Sequence, residues 1–80
     1  MTREVIDANV MEDLLKAAAR LSRVGAPHLW IDYDTEADAL YVNFQKPQRA
    51  TESELLENGV ILRYRGDKLV GVVIFDASSR

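Results

Sequence analysis

From Leu29 to Phe44 the chain alternates with a period of two. Leu29, Ile31 and Tyr33 fall to one side and Trp30, Asp32 and Asp34 to the other, and then Leu40, Val42 and Phe44 alternate with Ala39, Tyr41 and Asn43. This is the pattern of strands with one buried face. Bringing both apolar sets to one face requires Asp34 to pair with Ala39, Tyr33 with Leu40, Ile31 with Val42 and Leu29 with Phe44, because a one-residue slip would turn a whole set outward. Thr35, Glu36, Ala37 and Asp38 are then the loop of a hairpin. Asp34 suits the first position of a type I turn, where its carboxylate accepts the backbone N–H two residues on.

Upstream the period changes. Val10, Met11, Leu14, Leu15, Ala18, Leu21 and Val24 recur at helical spacing, with Glu12, Asp13, Lys16, Arg20 and Arg23 on the other side. Asn9 with Glu12 has the form of a capping box, and Gly25 followed by Pro27 ends the pattern, so a helix is predicted over about residues 10–24. Acids early and bases late suit the helix dipole. Residues before about Asp7 carry no period and are expected to fray.

Downstream, Pro47 ends the second strand. Arg49–Leu55 is polar and β-branched, which predicts a strand at an exposed edge. Val60–Tyr64 and Leu69–Phe75 are strongly strand-like, and Gly66-Asp67 between them is a two-residue hairpin turn. An uninterrupted register pairs Arg65 with Lys68, Tyr64 with Leu69, Leu62 with Gly71 and Val60 with Val73. Both faces of this hairpin are apolar, so something covers each side. A helix of about 15 residues, roughly 22 Å long, covers one face only. The reading is therefore a single α+β domain, residues 1–80, with the helix packed on an antiparallel meander of about five strands over about 29–76 and a second copy of the chain on the other face. That face is expected to comprise Trp30, Tyr41, Ile61, Val70, Val72 and Ile74, aromatics being enriched at interfaces. Strand order is left open.

Eighty residues make one small domain with a thin margin of stability, which favours a partner. Ten Lys and Arg against 13 Asp and Glu give a net charge of -3, which disfavours binding to a nucleic-acid backbone. The chain has no cysteine, hence no disulfide, thiolate nucleophile or Cys-based zinc site, and a cytoplasmic location is expected. No run approaches a membrane span and the charged start is unlike a secretory leader.

The run Tyr33-Asp34-Thr35-Glu36-Ala37-Asp38-Ala39-Leu40-Tyr41-Val42, then Asn58-Gly59-Val60-Ile61-Leu62, then Leu69-Val70-Gly71-Val72-Val73-Ile74 closed by Asp76-Ala77-Ser78, resembles the family called domain of unknown function 2283. The resemblance covers about residues 29–78. Where Thr35 and Asn58 stand that family usually has proline, and both changes keep turn chemistry. The resemblance implies a small α+β or mostly β domain without assigned catalytic residues. Through relatives encoded beside small toxin-like proteins, it also implies an alternative role as antitoxin to a small basic partner.

Candidate chemistry is sparse. Asp32, Asp34, Glu36 and Asp38 begin like a calcium loop, but its sixth position is Ala37 instead of glycine and its twelfth is Asn43 instead of glutamate. They are weak metal candidates, and turn chemistry and strand exposure account for them. His28 is the only histidine and cannot build a multi-histidine site in one chain. Ser22, Ser53, Ser78 and Ser79 lack a nucleophile-elbow context. Each of the four glycines reads as a turn, a cap or close strand packing, with no phosphate loop. Lys16, Arg20 and Arg23 form a stripe that reads as a solvated face. No enzyme activity and no cofactor is expected. The favoured role is a non-catalytic interaction module that self-associates through its sheet, with the antitoxin second and a metal-binding protein or orphan enzyme third.

Overall fold

The polar strand Glu52–Leu55 lies at an edge of the sheet and the doubly apolar strand Lys68–Ile74 at its centre, which is what the composition of each strand requires. In the computed structural model, which describes residues 3–80, helix α1 (Ala8–Leu21) precedes strands β1 (Trp30–Asp34), β2 (Ala39–Asn43), β3 (Glu52–Leu55), β4 (Val60–Arg65) and β5 (Lys68–Ile74) and a 3-10 turn (Ala77–Ser79). The fold is α+β, and the strands form one antiparallel sheet in the order β1-β2-β5-β4-β3. Only β3, β4 and β5 follow one another as a meander. The connection from β2 crosses the sheet to its far edge, so that β5 takes the place beside β2.

The first hairpin has the expected register, with Asp34 opposite Ala39, Tyr33 opposite Leu40 and Ile31 opposite Val42. Asp34 Oδ1 accepts the N–H groups of Glu36 and Ala37 at 3.0 and 3.2 Å, as a turn aspartate should. The second hairpin departs from the expected register. Arg65–Lys68 and Tyr64–Leu69 pair as anticipated, but Arg63 then lies opposite Gly71, Leu62 opposite Val72 and Val60 opposite Ile74. Val70 is thus the extra residue of a β-bulge, and it is fully buried. Of the two turn residues only Gly66 has positive φ, +61°.

Helix α1 starts earlier and ends earlier than its periodicity suggested. Its cap is Asp7, whose carboxylate accepts from Asn9 N at 2.8 Å and Val10 N at 3.4 Å, instead of Asn9. The frayed start anticipated before Asp7 is non-helical and exposed from Arg3 on, and Met1 and Thr2 lie outside the described residues. The expected packing of the helix on the sheet is absent. No residue of α1 is buried, and the helix makes at most marginal contact with any strand. The chain measures 49 × 27 × 23 Å, with a radius of gyration of 14.6 Å. A compact chain of this length would have about 12 Å.

Candidate interaction surface

Residues paired across a ladder share a face, so the registers define two surfaces. Two rows cross the first. Ile31, Val42, Val72, Leu62 and Glu54 lie side by side over all five strands, and Tyr33, Leu40, Ile74 and Val60 over four. Eight of these nine side chains are apolar or aromatic, yet only Val42 is buried, and Ile31 and Tyr33 are 48% and 47% exposed. Glu54 closes the first row at the edge strand, where a charge discourages edge pairing.

The opposite face carries Asp32, Tyr41, Val73, Ile61 and Leu55 in one row and Trp30, Asn43, Gly71, Arg63 and Ser53 in another. The chain covers part of it. Gln48, from the connection that crosses the sheet, hydrogen-bonds through its amide to Asn43 Oδ1 above Gly71. A side chain at 71 would collide with that amide and lie 3.0 Å from Asn43 Oδ1. The glycine therefore admits the crossing segment, in keeping with the close packing expected of it. Val73 and Ala39 are buried on this face.

The six residues expected to form one interface do not share a face. Trp30, Tyr41 and Ile61 stay together, Val70 is buried at the bulge, and Val72 and Ile74 join the Val42 face. The bulge is the physical reason, since one inserted residue inverts every side chain beyond it. The uncovered surface is consequently the Val42 face, the one the helix was expected to occupy.

The carboxylates at the hairpin tip have local partners. Asp38, at φ 49°, accepts the Tyr33 hydroxyl at 2.5 Å, Ser78 N at 3.0 Å and the Ser78 hydroxyl at 2.8 Å, and its carbonyl accepts Ala77 N. The Tyr33 hydrogen bond and then those from Ser78 hold the Asp38 carboxyl below its ordinary range, and the same carboxylate raises the Tyr33 phenol. This tie fastens the C-terminal turn to the first hairpin. Arg80 extends it, donating to Phe75 O at 2.8 Å and Asn58 O at 2.6 Å. Sequence periodicity gave no sign of the tie, because its partners lie 40 residues apart. Among the described residues no group of three or more His, Cys, Asp or Glu side chains is placed to hold a metal ion, and Asp34 and Asp38 spend their oxygens on the turn and the tie.

Two shallow grooves flank the sheet. One, about 310 Å³, runs beside Trp30, Asp32, Asn43, Lys46 and Gln48 and brings a single carboxylate near a single amine. The other, about 280 Å³, lies where Val24, Gly25, Ala26 and Pro27 meet Phe44, Lys68 and Leu69. His28 stacks obliquely on Trp30, with ring centroids 5.7 Å apart. On α1, Lys16 pairs with Glu12 at 3.5 Å along the exposed helix. No described helix is long and apolar enough to cross a membrane.

No curated protein and no solved structure matches the chain. The residues that define the sheet and the Asp38 tie all fall within residues 30–78, which the model of the family described as "Protein of unknown function (DUF2283)" matches, and the chain belongs to that family.

Proposed function

We propose that this protein is a cytoplasmic, non-catalytic interaction module that self-associates by burying the Val42 face of its sheet. A chain without cysteine suits a reducing compartment. One observation carries the interaction reading: two adjacent rows of apolar side chains span β1, β2, β5 and β4 and, among the described residues, all of them but Val42 are left half-buried or exposed, and contiguous apolar surface of that kind marks an interface. The hydrogen bonds around Asp38 and Tyr33 support a non-catalytic role, since these groups hold one another and the chain end instead of facing a cleft.

Sedimentation equilibrium of the wild type beside Ile31→Asp and Leu55→Asp tests the reading. Both positions are exposed, so neither change disturbs the sheet itself. The wild type and Leu55→Asp should sediment as dimers and Ile31→Asp as a single chain. A wild type that sediments as a single chain would overturn self-association, and loss of the dimer in Leu55→Asp alone would place the interface on the Tyr41 face.

A further inference from the structure

We infer that the bare sheet face of each chain is covered by helix α1 of a second copy, so that two chains exchange helices reciprocally. The inference rests on the self-association proposed above and names what fills the face. Each chain has two unpartnered apolar surfaces and they match. The helix exposes Val10, Met11, Leu14 and Leu15 along one stripe, with Leu15 65% accessible, although its periodicity is that of a helix with a buried side. The sheet exposes the rows through Val42 and Leu40.

The dimensions agree. Fourteen residues at 1.5 Å each give a helix about 21 Å long. Five strands about 4.8 Å apart give a sheet about 19 Å across. A footprint of this length and a helix's width of about 11 Å is about 230 Å² on each surface of a helix–sheet contact. Two such contacts have four surfaces, about 900 Å² of footprint in all, close to the roughly 1,000 Å² expected of a specific interface. A two-fold pair uses one helix and one face from each chain and leaves neither over, which closes the assembly.

The connection supports exchange. Between Leu21 and Trp30 the chain turns at Gly25, φ +89° with open space around it, and Val24–Pro27 then form one wall of the groove whose other wall is Phe44, Lys68 and Leu69 at one end of the sheet. The link thus runs beside the end of the sheet while α1 stands clear of it. Exchange of an identical element through such a hinge is a low-cost route to a dimer.

The native chain has no cysteine, so introduced thiols report unambiguously. Full-length Leu14→Cys and Val72→Cys chains are mixed, refolded together and oxidised, alongside each alone and the doubly substituted chain. Exchange is expected to give a disulfide-linked pair from the mixture and linked dimers from the double variant. A double variant that closes its disulfide within one chain would overturn exchange, because the helix would then cover its own sheet. Val72→Cys linking to itself, with no Leu14–Val72 product, would also overturn exchange while leaving self-association intact, the two sheets then packing face to face. A wild type of single-chain mass would remove both readings. As an independent arm, Leu14→Glu should weaken the dimer about a hundredfold or more by placing a charge on the buried stripe. An unchanged dimer in Leu14→Glu, with the sheet intact by Trp30 fluorescence, would again overturn exchange.

Discussion

Replacing Val70 by alanine isolates the consequence of the β-bulge. Val70 is fully buried, and the substitution deletes two methyl-sized groups, worth about 1.6 kcal/mol in transfer free energy. The space left behind raises the loss to about 2–3 kcal/mol if the bulge cannot close over it. For a domain of this size that corresponds to a fall in Tm of roughly 10–20 °C. Leu55→Ala is the control. Leu55 is 70% exposed on the edge strand, and its truncation should cost no more than about 0.5 kcal/mol. Urea unfolding followed by the single tryptophan, Trp30, measures both at one protein concentration, since association would itself shift the midpoint. A loss below about 1 kcal/mol in Val70→Ala would refute the reasoning, because it would mean that Val70 is not enclosed and that the hairpin is not bulged there.

Two further perturbations test the ties at the ends of the fold. The carboxyl of Asp38 is held low, so its contribution to stability is complete above the unfolded value of about pH 3.9 and is lost as pH falls through the lower folded value. The Tyr33 phenol is raised, so its contribution is complete below about pH 10 and is lost as pH rises through the higher folded value. Asp38→Asn should therefore be less stable than wild type at about pH 7 and converge on it toward about pH 2, and a gap of constant size in urea midpoints would contradict the tie. Asp7→Ala should cost α1 about 1 kcal/mol and lower the helical far-UV signal, with Asp7→Asn restoring most of it; equal signals in all three would exclude Asp7 as the cap.

What the sequence discloses differs from segment to segment for physical reasons. The first hairpin is legible in full because its strands alternate strictly and Asp34 marks the turn, so a single register satisfies both. The second is legible only in its turn. Leu69 to Ile74 is apolar at almost every position, so a bulge at Val70 breaks no pattern, and an unbulged register groups Val72 and Ile74 wrongly with Trp30. The helix announces that one side must be buried, but amphipathicity does not say against which surface or in which chain. Its cap is missed because Asn9 and Glu12 imitate a capping box, whereas Asp7 works alone. The polar character of Glu52–Leu55 does mark an edge strand. The link from Asp38 to Ser78 has no periodic trace, although both residues stand within the stretches that carry the family resemblance.

Small-angle X-ray scattering from the full-length wild type, measured through a dilution series, tests the central claim most directly. A face as apolar as the Val42 surface should be covered in solution, so the forward scattering should give twice the mass of the chain and hold that value until dilution passes the dissociation constant. Single-chain mass at every concentration, with the radius of gyration and 49 Å length of the isolated protein, would contradict it.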